Sequence, residues 1–248
     1  MIFPIGDDNI EGGCKPIFSY GFIALNVIMF AIQLMSQNML FCEWGLLPAE
    51  IVRGEDYFTF MTNMFMHGGW MHIIGNMLFL WVFSDNVEAV IGNIPFLFFY
   101  LIGGIFASAA HVFFTMGSVD PNVASCCAMC LQNCQQGDTI CPGTIPAVGA
   151  SGALSAVMGA YMVMFPKSKV KILVLYFMRS FHIPAYVALG GWIVMQLFSG
   201  VSSLGPAAAS SGGTAWWAHI GGFVFGLLFG LLFKIWNCLL YTSPSPRD

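Results

Sequence analysis

Long apolar runs separated by short polar stretches dominate the chain. A helix needs roughly 20 mainly apolar residues, within a range of about 17 to 25, to cross a lipid bilayer. By this criterion the pattern predicts six membrane-spanning helices. They fall at about residues 18–35, 71–90, 94–114, 149–165, 184–198 and 215–236. A further apolar stretch, 172–178, is too short to span and is bordered by basic residues, so we expect it to lie at the membrane interface.

The composition supports a membrane protein. Only 8% of the 248 residues are charged, whereas a soluble domain carries about 25%. The net charge of −4 and the absence of a basic tract argue against a nucleic-acid binder. An apolar content of 58% excludes intrinsic disorder. The fold class expected is therefore all-α, a polytopic bundle of six transmembrane helices in contact with the lipid bilayer.

We expect three regions along the chain. Residues 1–17 form a short cytoplasmic segment, without the basic start and apolar run of a cleavable signal peptide. Residues 18–236 form the six-helix domain, which includes a polar, cysteine-bearing insertion at about 115–146. Residues 237–248 change abruptly to a Ser-Pro-Ser-Pro pattern and are expected to be a disordered or non-native tail. The sequence does not specify an oligomeric state.

The basic residues predict the orientation. Six spans place both termini on one side, and seven of the eight basic residues fall on that side, namely Lys15, Lys167, Lys169, Lys171, Arg179, Lys234 and Arg247. Only Arg53 falls on the other side. The positive-inside rule makes the crowded side cytoplasmic. We therefore expect both termini in the cytoplasm, in a prokaryotic-type cell membrane.

Polar side chains inside spans are costly and are candidates for function. Ser151 begins the fourth predicted span, and His219 lies about one turn into the sixth. His72 and Asn76 lie four residues apart on one face of the second span, with His67 just before them. All lie at the predicted outer ends of even-numbered helices. The pattern thus brings a hydroxyl, an imidazole and further hydrogen-bonding groups to one depth.

These residue types suit nucleophilic catalysis. A serine becomes a nucleophile when an imidazole within hydrogen-bonding distance takes its proton. The Ser151 N–H, the His72 ring and the Asn76 amide could then stabilise the oxyanion. No Asp or Glu lies at this depth to orient His219, so we expect a dyad whose histidine is held by packing. The alternative reading is structural: small residues for helix packing, and His72 with Asn76 as a clamp between helices.

The sequence resembles the rhomboid family of intramembrane serine proteases. The resemblance covers about residues 18–236 and rests on an ordered set of motifs: His67-x4-His72-x3-Asn76, Glu88-x3-Gly92, Gly149-Ala150-Ser151-Gly152, and Ala218-His219-x2-Gly222-x3-Gly226. No single motif is specific, but the set in this order is.

The resemblance implies a function and a set of roles. Ser151 would attack the scissile carbonyl, and His219 would act as general base and acid. His72 and Asn76 would line the oxyanion hole, and no cofactor or metal would be needed. The substrates implied are transmembrane proteins cut near the outer face of the membrane. The fifth span, with Trp192 and Phe198, would form part of the substrate gate.

Two features depart from the family pattern. Some members place an aromatic residue four positions after the nucleophile, where this chain has Ser155. The insertion is also rich in cysteine, and with the first outer loop it predicts six cysteines on the outer side: Cys42, Cys126, Cys127, Cys130, Cys134 and Cys141. One or more disulfides is the first interpretation, and a zinc site at Cys127-x2-Cys130 is the alternative.

Two other functions compete with a protease. A catalytically silent member of the same superfamily would bind transmembrane segments, but such a protein needs neither Ser151 nor His219. A small transporter or channel would be expected to show an inverted repeat or ionisable residues near the bilayer midplane, and neither is visible in the sequence. A zinc metalloprotease of the His-Glu-x-x-His type does not fit, because that motif is missing from the sequence.

Overall fold

The computed structural model describes residues 2–8, 13–37, 39–118, 146–174, 176, 179–203 and 214–242, with side chains as far as residue 236. Within these residues the chain forms nine α-helices. They are α1 (Ile17–Met35), α2 (Met39–Trp44), α3 (Pro48–Arg53), α4 (Thr59–Thr62), α5 (Trp70–Ile91), α6 (Asn93–Thr115), α7 (Ser151–Met164), α8 (Ala185–Ser202) and α9 (Trp216–Thr242). Short 3₁₀ turns follow α4 and α6.

The predicted helical membrane bundle is confirmed, but the count of six spans is not. Five of the described helices are long and apolar enough to cross a membrane: α1, α5, α6, α8 and α9 up to Trp236. Helix α7 has only 14 residues, which corresponds to about 21 Å at a rise of about 1.5 Å per residue. Ten of those residues are buried. Helix α7 is therefore surrounded by other helices and is not a lipid-facing span of full length.

Helices α7 and α9 are in contact through their backbones. A methyl group added to Gly222 would overlap the carbonyl oxygen of Gly152, and one added to Gly226 would overlap the carbonyl oxygen of Ala156. From the other side, a methyl group on Gly159 would overlap the carbonyl oxygen of Phe223. Small residues permit this close approach of membrane helices. The first turns of α7 and α9 are thereby held side by side.

The bundle also carries a small antiparallel sheet that the all-α prediction does not include. Its strands are β1 (Ile2–Gly6), β2 (Lys169–Val174) and β3 (Arg179–Pro184), in the order β1-β2-β3. The stretch expected at the interface, 172–178, thus begins within β2. A short apolar run does not distinguish a strand from other structures by periodicity. Its partner β1 comes from the distant segment 1–17, which nothing local in the sequence indicates.

The N-terminal segment is attached to the bundle by side chains as well as by β1. The Asn86 amide of α5 donates a hydrogen bond to the Asp7 carboxylate at 2.8 Å, and the Tyr161 hydroxyl of α7 donates to the same oxygen. The Lys169 N–H donates to the Asp8 carboxylate at 2.9 Å. At the other end of the chain, α9 continues to Thr242, six residues into the segment 237–248 that was expected to be a tail.

Glu88 joins two helices at the end of the bundle near the sheet. This carboxylate is fully buried and accepts hydrogen bonds from the Phe18 N–H at 2.9 Å, the Ser19 N–H at 2.7 Å and the Ser19 hydroxyl at 2.6 Å. Free N–H groups at a helix start favour an anion. One turn later, Gly92 ends α5 with φ +89° and begins α6, a backbone conformation that glycine adopts most readily.

We expect Glu88→Ala to destabilise the protein by about 2 kcal/mol, because it leaves buried donors at the start of α1 without an acceptor. The midpoint of thermal unfolding in one fixed detergent measures the effect. Glu43→Ala, at an exposed position on α2, is the matched control and should leave the midpoint within error of wild type. Equal midpoints for wild type and Glu88→Ala would contradict the assigned role.

Candidate active site

The site is centred on a hydrogen bond between two helices. Ser151 is the first residue of α7, and His219 lies in the first turn of α9. The Ser151 Oγ and the His219 Nε2 are 2.8 Å apart. The two side chains can meet because the glycine contacts described above bring the two backbones together. The arrangement gives a serine hydroxyl a proton acceptor inside the protein.

The His219 ring has a second partner that the sequence analysis missed. Its Nδ1 lies 2.7 Å from the Oε1 of Gln196 on α8. An amide oxygen can only accept, so Nδ1 donates, and in the neutral ring Nε2 is left to accept the Ser151 hydroxyl proton. The expectation of a histidine held by packing alone is therefore wrong. The sequence does contain an indication of this partner: Gln196 lies within the predicted span 184–198, where an amide without a hydrogen bond would be costly.

Aromatic rings also flank His219. The Trp192 ring of α8 lies 5.7 Å from the His219 ring between centroids, and the Trp216 ring lies 6.3 Å away at 90°. Ser155, at the position where some family members have an aromatic residue, is buried and donates to the Ser151 carbonyl at 2.6 Å. The imidazole thus has aromatic neighbours on α8 and α9, although α7 supplies none at Ser155.

Two hydrogen-bond donors lie beside the turn that precedes Ser151. A methyl group on Gly149 would lie 2.8 Å from the His72 Nε2 and 3.2 Å from the Asn76 Nδ2. The His72 Nδ1 accepts the Gly68 N–H at 3.3 Å, which places the proton of the neutral ring on Nε2. The Asn76 Nδ2 is buried and has no hydrogen-bond partner in the described part of the chain. Both donors are therefore available to a bound group.

Gly149 is required for this arrangement on two counts. Its φ is +118°, a conformation that disfavours any side chain, and a Cβ atom would press on the His72 ring. Its N–H donates to the Asn63 carbonyl at 2.9 Å, which fixes the turn against the 3₁₀ segment before α5. The next glycine of the motif, Gly152, instead contacts α9 through its carbonyl group.

A small cavity of about 20 Å³ adjoins the nucleophile. Its polar lining includes Ser151, Asn63, Ser108 and His111. The Asn63 Nδ2 donates to the Ser108 Oγ at 3.0 Å, while the buried His111 Nδ1 has no partner among the described residues. A polar space of this size can hold about one water molecule. The structure thus places His111 of α6 on the same cavity as Ser151.

His67 supports His72. The His67 side chain is fully buried, and its ring lies 5.3 Å from the His72 ring in an edge-to-face arrangement. Its backbone is bound to α1, since its N–H donates to the Gln33 side chain at 3.0 Å and its carbonyl accepts from the same side chain at 2.8 Å. Burial, with a smaller effect of His72, lowers the pKa of His67 to about 3. His67 is therefore neutral near pH 7.

This depressed pKa predicts a pH dependence of stability. The neutral His67 ring makes its full contribution to the free energy of unfolding above its ordinary pKa of 6.5. This contribution falls as the pH drops from 6.5 towards about 3, because the unfolded chain then binds a proton that the folded chain does not. We expect the unfolding midpoint of wild type to fall more steeply over this range than that of His67→Leu. Parallel curves for the two proteins would contradict this origin.

Most of the cysteines that are predicted to lie on the outer side fall outside the described residues. Cys42 is disulfide-bonded, and Cys14 is a free, exposed thiol. The five cysteines of the insertion, Cys126, Cys127, Cys130, Cys134 and Cys141, fall in the segment 119–145, which the structure does not describe. Among the described residues no group of His, Cys, Asp or Glu is arranged to hold a metal ion. Disulfides and zinc in the insertion therefore both stay predictions.

Fold and site together define a helical membrane protein with a serine–histidine pair where its central helices begin. A model of the Rhomboid domain matches residues 54–235. The chain therefore belongs to the rhomboid family, and it is an integral membrane protein.

Curated relatives agree with this family. Rhomboid protein 1, mitochondrial, of Saccharomyces cerevisiae is 25% identical over 214 residues, which cover 85% of this chain and 51% of that protein. Rhomboid protease GluP of Bacillus subtilis is 26% identical over 152 residues, which cover 60% of this chain and 24% of that protein. Presenilin-associated rhomboid-like protein A, mitochondrial, of Danio rerio is 25% identical over 237 residues, which cover 91% of this chain and 53% of that protein.

The chain spans about half the length of the yeast and zebrafish relatives, and about a quarter of GluP. Two of these three relatives are mitochondrial by name, so the predicted prokaryotic-type cell membrane gains no support from them. The orientation with both termini in the cytoplasm likewise stays a prediction.

Proposed function

We propose that the chain is an intramembrane serine endopeptidase that cleaves transmembrane protein substrates near the membrane face at which α5, α7 and α9 begin. The observation that carries the proposal is the 2.8 Å contact between the Ser151 Oγ and the His219 Nε2. From the predicted orientation we expect this face to be the outer one. The name of GluP, a rhomboid protease, shows that the family includes proteases.

The reaction would proceed through an acyl-enzyme. The Ser151 Oγ attacks the scissile carbonyl carbon while its proton passes to the His219 Nε2. The tetrahedral intermediate collapses, the peptide C–N bond breaks, and His219 gives the proton to the leaving amine. A water molecule then attacks the ester carbon while His219 takes one of its protons. The second tetrahedral intermediate collapses, the bond between this carbon and the Ser151 Oγ breaks, and His219 returns the proton to Oγ as the carboxylic acid product leaves. The cavity beside Ser151 offers room for one water molecule close to this ester.

The negative oxygen of the tetrahedral intermediate needs donors. The His72 Nε2–H and the Asn76 amide lie beside Gly149, two residues before the nucleophile. An amide donor that is buried without an acceptor costs free energy in the unbound protein. A bound oxyanion would supply the missing acceptor and remove this cost. This supports an oxyanion-binding role for His72 and Asn76, together with the Ser151 N–H. No cofactor takes part in the proposed reaction.

The rival function is a catalytically silent rhomboid protein that binds transmembrane segments. A fluorophosphonate probe on the detergent-solubilised protein separates the two. We expect covalent labelling of wild type and none of Ser151→Ala, because the probe reacts only with an activated serine. Ser202→Ala, a serine exposed on α8, is the matched control and should label like wild type. Unlabelled wild type, or labelled Ser151→Ala, would favour the silent protein or another nucleophile.

His219→Ala should abolish cleavage of a model transmembrane substrate, because Ser151 then has no base. Cleavage is measured by gel mobility of the product after reconstitution into liposomes. Undiminished turnover in this variant would exclude His219 as the base.

Asn76→Ala should lower kcat by about 10²-fold with little change in KM, since an oxyanion donor acts in the transition state and not on the bound substrate. Steady-state kinetics on the same substrate measure both constants, and the unfolding midpoint shows that the variant is folded. A folded variant with kcat within twofold of wild type would remove Asn76 from the oxyanion hole.

A further inference from the structure

Gln196 is a polar residue of a membrane helix that the dyad mechanism does not use. Its side chain is only 3% exposed, although it lies in the middle of an apolar stretch of α8 between Met195 and Leu197. An amide inside a membrane protein is expensive unless it is hydrogen-bonded. Among the described residues, its Oε1 has one hydrogen-bond partner, the His219 Nδ1 at 2.7 Å. The amide is thus placed against the base itself.

We propose that Gln196 is a positioning residue for His219, and that it sets the ring tautomer which catalysis requires. The proposal rests on the protease function proposed above. A neutral imidazole accepts the Ser151 proton only if Nε2 is unprotonated. With its Oε1 facing the ring, Gln196 favours this form, because the oxygen can accept from Nδ1–H but cannot donate to Nδ1. In a Ser-His-Asp triad a carboxylate performs this task, and here a neutral amide does so.

A neutral amide suits the surroundings of this site. A buried carboxylate without a cation would carry a large desolvation cost. Among the residues that the structure describes, the hydrogen-bond partners of His219 are Ser151 and Gln196, and the ion pair Arg53–Glu55 does not involve these three residues. The amide offers the same acceptor geometry without that charge. It also stabilises the protonated ring less than a carboxylate would, so its contribution is mainly to orientation and tautomer.

The position of Gln196 on α8 makes the base depend on that helix. Trp192, one turn before Gln196, lies beside the same imidazole, so a single face of α8 supplies both the acceptor and an aromatic neighbour. Helix α8 packs mainly on α9. Any separation of α8 from α9 would remove both contacts from His219 at once. The orientation of the His219 ring therefore requires α8 to be packed against α9.

Two nearly isosteric variants test the role. Gln196→Met keeps the volume but lacks the amide oxygen, whereas Gln196→Glu keeps an acceptor in the same place. We expect Gln196→Met to lower both kcat and the rate of fluorophosphonate labelling about ten- to a hundredfold, with KM within twofold. Folded Gln196→Glu should react within a few-fold of wild type, because its oxygen still accepts from the His219 Nδ1–H; the desolvation cost of the carboxylate should instead lower its unfolding midpoint. Val194→Ala, at a position on α8 that is half exposed, controls for disturbance of the helix and should react like wild type.

The outcomes separate this inference from the proposed function. If wild type is labelled and Gln196→Met reacts equally fast, Gln196 does not position the base, although the protease function stands. If kcat and the labelling rate fall equally in folded Gln196→Met and folded Gln196→Glu, the acceptor oxygen does not position His219, and the tautomer assignment is overturned. If wild type itself is not labelled at Ser151, the protease function fails and this inference fails with it.

Discussion

The direct contact between the backbones of α7 and α9 is the constraint on which the site depends. Helices packed through ordinary side chains lie about 8–10 Å apart, and a serine side chain is too short to reach far across such a gap. Gly222 and Gly226 remove the side chains that would keep the two helices apart. The Ser151–His219 hydrogen bond is therefore a consequence of packing along the helix pair, which begins at Gly152, next to Ser151, and continues to Gly226, about two turns beyond His219.

Three buried polar side chains of the bundle each join two different helices or a helix and a loop. Glu88 of α5 holds the start of α1, Gln33 of α1 holds the loop at His67, and Gln196 of α8 holds His219 of α9. In an apolar medium these bonds have little competition from water, and an unmade bond is costly. Polar residues thus fix the relative positions of helices that apolar packing alone would leave free to slide.

The sequence predicts the helical bundle and the family because both follow from local patterns. Apolar runs of sufficient length predict α1, α5, α6, α8 and α9, and a polar residue within such a run draws attention to Ser151, His72 and His219. The three features that pattern reasoning misses are all non-local. The sheet joins residues from distant parts of the chain, the short α7 is tolerated because its neighbours cover it, and the acceptor for His219 comes from another helix. Because Gln196 is neutral, the scarcity of Asp and Glu in the spans gives no indication of it.

The pairing of β1 with β2 has a consequence for the order of assembly. Ile2 lies opposite Val174 in this sheet, so most of the bundle separates the two strands in sequence. During synthesis β1 has no partner until β2 has been made, and closing so long a loop is slow compared with forming the helices between. We therefore expect β1 to pair only after α1, α5, α6 and α7 have been made. The sheet also joins the N-terminal segment to the segment that leads into α8, two parts of the chain that no local contact would bring together.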